Sequence, residues 1–148
     1  MAKGTMKFKD SVADFERILA EIEARRFAGI YLLMGEESYF IDGVAERLAT
    51  TILDEAARAF NQITVYGRDT DGGQVVNLCR QMPMMGNYEV IIVKEAQQLR
   101  QLDKLALYVQ KPSPTTVLVV CHKEKSVDKR SALYKHAAAK GAVLESVR

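Results

Sequence analysis

The stretch IYLLMGEESYFID, residues 30–42, decides the fold class of this chain. It begins with a short, continuously apolar run, which is typical of a strand buried on both faces of a parallel sheet. Apolar residues from Phe40 to Ile52 then recur on one helical stripe within residues 37–53. We therefore expect a buried strand that passes through a tight turn directly into a helix.

The rest of the chain repeats this alternation. Further strands are predicted where apolar and β-branched residues are concentrated, at residues 61–66, 89–94, 115–121 and 142–146. Further helices are predicted from apolar residues at helical spacing, at residues 11–25, 75–82, 99–109 and 128–140. Ser11 and Asp14 are interpreted as the capping pair of the first helix, and Met82 as a core residue of the second of these. The pattern predicts right-handed crossovers and a five-stranded, mostly parallel α/β sheet with helices on both faces.

Composition places the chain among ordinary globular domains. It has 148 residues, of which 48% are hydrophobic and 27% charged, and we expect a single domain over residues 1–148. A formal net charge of +2 is too small to require nucleic acid or an anionic membrane as a partner. No run approaches the roughly 18 apolar residues of a membrane span, and the start lacks a secretory signal. We therefore expect a cytoplasmic protein that does not contact a membrane.

The cysteines and histidines do not predict a metal site. Cys79 and Cys121 lie far apart without CxxC spacing, and neither His122 nor His136 completes a ligand pattern with them. We expect reduced thiols, no metal and no cofactor.

The turn after the first strand lies where a phosphate loop would bind a nucleotide, because ligands bind at the carboxyl ends of parallel strands. A working GxxxxGK[ST] loop needs glycines, a lysine and a hydroxyl. Here Gly35 is followed by Glu36, Glu37 and Ser38, with no lysine. The two carboxylates satisfy the positive end of the helix themselves and repel a triphosphate. We interpret this turn as a degenerate phosphate loop, although an ordinary acidic helix start also explains it.

The third strand is followed by a degenerate Walker B segment. VIIVKEAQQL, residues 90–99, is similar to hhhhDExxxL, but the aspartate that would coordinate magnesium is replaced by Lys94. An ammonium group cannot ligate a cation, so the neighbouring Glu95 has no metal to serve. Both residues can equally be the polar end of a strand.

The sequence QMPMMGN, residues 81–87, is called the methionine segment below. Met84 and Met85 follow a proline and precede Gly86 and Asn87, where a chain normally turns through solvent. Methionine side chains are flexible and polarizable, which suits them to a pocket on a partner protein. The pair is either an exposed docking plug or a cap on the edge of the sheet.

A basic run follows the fourth strand. It contains Lys123, Lys125, Lys129 and Arg130 within HKEKSVDKR, residues 122–130. These residues could contact a phosphate backbone or a neighbouring subunit, but a run of mixed sign also suits a solvated loop.

The order of these signals resembles the first domain of the bacterial DNA polymerase III delta subunit family across nearly the whole chain. Three segments show the resemblance: YLLMGEESYFID (31–42), LCRQMPMMGNYEVIIVKEAQQL (78–99) and DKRSALYKHAAAKGAVLE (128–145). The resemblance implies the RecA-like fold of AAA+ P-loop NTPase-type proteins and a clamp-loader subunit that neither binds nor hydrolyses ATP. It implies a subunit that holds and opens the sliding clamp ring (beta subunit) beside gamma/tau and delta prime subunits, with DNA contacted through the assembled complex.

The resemblance also implies which residues bind the clamp. The family presents a leucine and phenylalanine plug just before the third strand, within the pattern QxxLF. This pattern falls on Gln81, Pro83, Met84 and Met85, with methionine in both apolar positions and no aromatic residue in the last. The family's lid domain and helical collar are absent from this sequence, so we expect a truncated form or one domain of a longer chain.

Two other functions are considered. A nucleotide-binding enzyme with an atypical phosphate loop is the main alternative. A receiver-like signalling domain is disfavoured because the sequence lacks the paired acidic residues that such a site requires after the first strand.

Overall fold

A computed structural model of the chain describes residues 6–84 and 87–148. Within these residues, five β-strands form one sheet. The strands are β1 (Ile30–Gly35), β2 (Gln62–Tyr66), β3 (Glu89–Lys94), β4 (Thr116–Lys123) and β5 (Ala142–Ser146). Their order is β2-β3-β4-β1-β5, and every neighbouring pair is parallel. The predicted five-stranded parallel sheet is confirmed.

Helices cover both faces of this sheet. They are α1 (Phe8–Glu23), α2 (Ser38–Thr51), α3 (Glu55–Asn61), α4 (Gly72–Cys79), α5 (Lys104–Gln110) and α6 (Ala132–Lys140). Ile22 of α1, Leu48 of α2 and Ala57 of α3 pack against one face. Val75 of α4, Tyr108 of α5 and Leu133 of α6 pack against the other, so the chain has two apolar layers that share one sheet.

The strands contribute alternately to these two layers. In β1, Leu33 packs with α1 and α2, whereas Leu32 packs with the helices of the other face. Because both faces are covered, every position of β1 is buried. This arrangement explains why the strands appear in the sequence as continuous apolar runs rather than as an apolar and polar alternation.

The first helix begins one turn earlier than predicted, and its capping pair was wrong. Lys7 is the N-cap, and its amide donates to the Asp10 carboxylate over 3.0 Å. Ser11 is buried within α1, where its hydroxyl donates to the carbonyl of Glu145 over 2.7 Å and accepts from the amide of Val147 over 3.0 Å. Ser11 therefore ties α1 to the end of β5 instead of capping the helix.

Other boundaries also differ from the sequence prediction. Helix α3, which the sequence pattern did not predict, lies between α2 and β2 and begins with Asp54 as its N-cap. Helix α4 ends at Cys79, so Met82 lies beyond it and is exposed; its predicted core position was wrong. Helices α5 and α6 begin at Lys104 and Ala132, later than predicted.

Both cysteines are free and buried, Cys121 in the layer under α1 and α2 and Cys79 in the other. Burial raises the pKa of each thiol to about 12. A thiol with such a pKa stays protonated at neutral pH and is a poor nucleophile. No group of three potential metal-binding side chains occurs within the described residues, and no described helix has the length and hydropathy needed to cross a bilayer.

Candidate functional site

The turn after β1 is built around a glycine that no other residue could replace without strain. Gly35 has φ of +122°, which L-residues rarely adopt, and a Cβ at this position would clash with the backbone of Ser146. The close approach brings the end of β5 directly against the start of α2.

The backbone amides of this turn donate their hydrogen bonds to another part of the same chain. The amides of Glu36 and Glu37 both donate to the carbonyl oxygen of Ser146, over 2.8 and 3.3 Å. The Ser146 hydroxyl donates in return to the carbonyl of Glu37, whose carboxylate accepts from the amide of Tyr39 over 3.1 Å. A phosphate loop directs such amides at its ligand, whereas here a β5 carbonyl occupies them. The structure thus places Gly35, Glu36, Glu37 and Ser38 together in the turn, with Ser38 opening α2.

The degenerate Walker B residues lie at the same, carboxyl edge of the sheet. Lys94 is the exposed last residue of β3. Glu95 has φ of 54° and accepts a hydrogen bond from the Gln97 side chain over 3.1 Å. The side-chain oxygen Oε1 of Gln97 in turn accepts from the backbone amide of Lys123 over 3.0 Å. Glu95 is therefore the start of a protein hydrogen-bond network that connects the ends of β3 and β4.

Lys123 also pairs with a carboxylate at this edge. Its ammonium lies 2.7 Å from Asp42 of α2. Burial alone would lower the pKa of Lys123, but the hydrogen bond and the charge of Asp42 outweigh it, and the pKa is raised. The charge of this lysine is thus matched within the domain.

Two more of the four predicted basic residues are paired in the same way. Lys129 lies 2.7 Å from Glu145, and Arg130 lies 3.1 Å from Asp128. Lys125 is exposed and forms no ion pair with another described residue. Lys123 is the last residue of β4 and the other three follow it in the chain. Most of the charge of the four residues is balanced locally, so they do not form an open cationic patch.

The described residues of the methionine segment, 81–84 and 87, lie at the opposite, amino edge of the sheet, between α4 and β3. Its beginning is held by Arg80, whose guanidinium stacks 4.6 Å from the centre of the Tyr108 ring and donates to the carbonyl of Lys111 over 2.7 Å. Both partners are on or next to α5, on the face of the sheet that α4 covers.

The segment is held a second time from the other face. The amide of Met84 donates to the side-chain oxygen of Asn61 over 3.2 Å, and Asn61 is the fully buried last residue of α3. Because α3 and α4 cover different faces, residues 80–84 pass from one face toward the other at the amino ends of the strands. These two contacts restrict the positions that the side chains of Met82 and Met84 can reach.

The side chains of this segment are presented to solvent. Met84 is 78% exposed, as the sequence predicts, and Met82 is 74% exposed. Gln81 is also exposed and Pro83 is partly buried, whereas Met85 lies outside the described residues. The sequence prediction missed Met82, because the helical pattern was extended past the true end of α4. Its position next to Pro83, which is poorly suited to a helix interior, was the available signal.

The two candidate sites are therefore separate. Residues of the degenerate phosphate loop and Walker B segment share the carboxyl edge with the basic run, and residues 81–84 lie at the amino edge. A strand of six residues spans about 20 Å, so the two edges can serve different partners.

Comparisons with known proteins agree with this geometry. Residues 31–147 match the family model described as DNA polymerase III, delta subunit. The DNA polymerase III subunit delta of Bacillus subtilis (strain 168) is 28% identical over 123 residues, which cover 73% of this chain and 35% of that protein. The chain thus spans 35% of the length of this curated relative.

Two solved structures have the same fold. The Bacillus subtilis DNA clamp loader delta protein superposes with a TM-score of 0.77 at 22% identity, covering 89% of this chain and 42% of that one. A DNA polymerase III gamma subunit-related protein from Thermotoga maritima superposes with a TM-score of 0.58 at 14% identity, covering 91% of this chain and 46% of that one. The RecA-like α/β fold expected from the sequence is thereby confirmed.

Proposed function

The chain belongs to the DNA polymerase III delta subunit family, and from this premise we propose that it is the clamp-binding module of a bacterial clamp loader. It binds the beta sliding clamp and opens one interface of the ring during DNA replication. The ATP that drives the process is used by neighbouring gamma/tau subunits, and a delta prime subunit completes the assembly. With this function the protein acts in the cytoplasm, as part of a holoenzyme with DNA-directed DNA polymerase activity.

The observation that carries the proposal is the exposure of Met82 and Met84 within residues 81–84, which are anchored by the Arg80 side chain and at the Met84 amide. Large apolar side chains exposed together are a marker of a binding surface. The Arg80 contact precedes Met82, and the Asn61 side chain accepts from the amide of Met84. Because these contacts already restrict residues 80–84, less conformational entropy is lost there when a partner binds.

Ring opening follows if binding depends on the state of the ring. A ligand shifts an equilibrium between two states only by its difference in affinity for them. The methionine segment therefore opens the clamp only if it fits the open interface better than the closed one. Its anchored backbone favours such selectivity, because a rigid ligand cannot adapt equally well to both states.

We further propose that this domain performs no nucleotide chemistry. The amides of Glu36 and Glu37 are used by Ser146, and Lys94 stands where a magnesium-binding aspartate would be needed. These features argue against the alternative of a nucleotide-binding enzyme with an atypical phosphate loop. The basic residues 123, 125, 129 and 130 are proposed to contact DNA or adjacent subunits only within the assembled loader.

Parallel titrations test the proposal. The 148-residue chain is titrated by calorimetry with the purified beta clamp of its source organism, and separately with Mg·ATP. We expect saturable clamp binding and no saturable nucleotide binding. Nucleotide binding without clamp binding would support the enzyme alternative instead.

A peptide competition locates the contact. A synthetic peptide of residues 78–88 should displace the chain from the clamp, and a scrambled peptide of the same composition should not. The peptide should bind more weakly than the folded chain, since it lacks the anchors to Tyr108 and Asn61. Displacement by both peptides alike would place the contact elsewhere.

A further inference from the structure

The described residues contain a third exposed apolar side chain at the amino edge, in addition to Met82 and Met84. This is Phe60, the penultimate residue of α3, with 55% exposure. It immediately precedes Asn61, whose side chain accepts the hydrogen bond of the Met84 amide over 3.2 Å. The contact that anchors the methionine segment therefore also fixes its position relative to Phe60.

Simple geometry limits the separation. Consecutive Cα atoms are about 3.8 Å apart and an asparagine side chain extends about 3.6 Å from its Cα, so the Phe60 Cα lies within roughly 11 Å of the Met84 amide nitrogen. A standard protein interface covers about 800 Å² on each partner, a patch roughly 28 Å across. A partner that binds Met84 through an interface of that size extends far enough to reach Phe60.

The chemistry of Phe60 also suits an interface. Aromatic residues are enriched among the side chains that dominate binding energy, and they add large contact area with few rotatable bonds. The methionine segment has no aromatic residue of its own between Gln81 and Asn87. Phe60 supplies one from a different element, on the other side of the Asn61 contact.

We propose that Phe60 is a clamp-contact residue, and that Asn61 is a positioning residue that joins Phe60 and the methionine segment into one docking surface. This inference rests on the proposed clamp binding. It extends the contact from a short linear segment to a surface assembled by α3 and residues 81–84, with the beta clamp as its occupant. A linear peptide of residues 78–88 lacks half of this surface.

The matched test is a pair of identical changes at two exposed phenylalanines. Phe8, with 50% exposure, lies at the start of α1, where it packs 5.6 Å from Phe40 of α2 near the carboxyl edge. Clamp affinity is measured by calorimetry for the 148-residue chain and its Phe60→Ala, Phe8→Ala and Met84→Ala variants, with a thermal melt of each. We expect Phe60→Ala to lose at least fivefold in affinity, Met84→Ala about tenfold, and Phe8→Ala less than twofold.

The outcomes separate this inference from the proposed function. If Met84→Ala weakens binding and Phe60→Ala does not, Phe60 is no contact residue and clamp binding through the segment stands. Equal losses for Phe60→Ala and Phe8→Ala would likewise overturn the inference, because they indicate a general effect. Absence of clamp binding by the unmodified chain would overturn the proposed function itself, and this inference with it.

A measurement on the unmodified chain tests the inference even if one of the variants fails to fold. Hydrogen exchange is compared with and without the clamp, and we expect slower exchange in α3 (Glu55–Asn61) as well as around residues 81–84. Unchanged exchange in α3 together with slower exchange at 81–84 would restrict the contact to the linear segment. The positioning role of Asn61 is read from Asn61→Ala, which should lower clamp affinity, while Asn61→Asp, which retains the accepting oxygen, should restore part of it.

Discussion

The amide nitrogen of Glu36 lies 2.8 Å from the carbonyl oxygen of Ser146, so the end of β5 closes the turn that would otherwise receive a phosphate. The consequence is that acidic side chains are not the main obstacle to nucleotide binding. The backbone donors are already used.

Removing the acidic charge should therefore fail to create a nucleotide site. We expect the Glu36→Gln/Glu37→Gln variant to show no saturable binding of Mg·ATP up to millimolar concentration, because its amides still donate to Ser146. Calorimetry with and without magnesium measures this. A micromolar, magnesium-dependent isotherm in either the variant or the parent chain would contradict the interpretation.

Gly35 should be among the positions least tolerant of substitution. The change Gly35→Ala introduces strain at φ of +122° and a clash with Ser146, which we expect to lower the free energy of unfolding by about 2 kcal/mol or more. Urea denaturation gives this quantity. The control is Gly29→Ala, where a Cβ has its nearest neighbour at 3.9 Å, and it should change stability by less than about 1 kcal/mol.

The paired change Met84→Ala/Met85→Ala should separate binding from stability. We expect at least tenfold weaker clamp binding, which corresponds to about 1.4 kcal/mol, since burial of one such side chain contributes roughly 1.5–3 kcal/mol. The melting temperature should hardly change, because Met84 is exposed. A control at Leu107→Ala, an exposed apolar residue of α5, should leave both quantities unchanged.

Core residues would behave differently in this experiment. Alanine at two buried methionines would lower stability by several kcal/mol. Early unfolding of the paired variant, or full clamp affinity, would show that these methionines are not the docking plug.

Neutralising the basic run should have little effect on the affinity for the clamp. We expect the variant with alanine at positions 123, 125, 129 and 130 to keep its clamp affinity within about twofold, since exposed ion pairs contribute at most about 1 kcal/mol. These residues also lie at or after the carboxyl end of β4, at the edge opposite residues 81–84. Titrations at two salt concentrations test this, and a large, salt-dependent loss would place the clamp contact at the carboxyl edge.

Glu89 gives the domain a predictable pH dependence. Its side chain is buried at the start of β3, and burial raises its pKa above the ordinary value of 4.5. The folded state therefore holds the proton more tightly than the unfolded state. The contribution to stability is complete below pH 4.5 and is lost as the pH rises through the raised pKa.

The change Glu89→Gln retains the uncharged shape at every pH. We expect its melting temperature to exceed that of the parent chain at pH 7 and to equal it near pH 4. Circular dichroism melts across this range measure the difference, with the exposed Glu46→Gln as a control for loss of charge. A gain that persists unchanged at pH 4 would assign the effect to packing instead of ionisation.

The strands could be predicted from the sequence because burial on both faces leaves an unmistakable apolar run. The predicted and observed bounds of β3 (Glu89–Lys94) and β5 (Ala142–Ser146) are the same. Helix α3 could not be predicted in this way, because seven residues give too little periodicity to distinguish a helix from a connection. Ser11 was misinterpreted since a buried serine bonded to a distant strand has the same local sequence as a cap.

The candidate site was predictable only in part. The proline and glycine of residues 81–87 indicate a solvent-exposed turn, which is what Met84 occupies. The contact between Met84 and Asn61 joins residues 23 positions apart in different elements, and it depends on the crossing of the segment beneath the sheet. No local pattern carries that information, so the relation of Phe60 to the methionines emerges only from the folded chain.

The strand order has a consequence for how the chain reaches its native state. β1 lies between β4 and β5, with Ile30 opposite Leu118 and Tyr31 opposite Ala142. During synthesis, β1 thus has no strand to pair with until β4 (Thr116–Lys123) has left the ribosome. The entropy lost in closing such long loops slows folding. Until β4 has emerged, β1 is an unpaired, apolar segment, and unpaired strand edges of this kind make a nascent chain prone to aggregate.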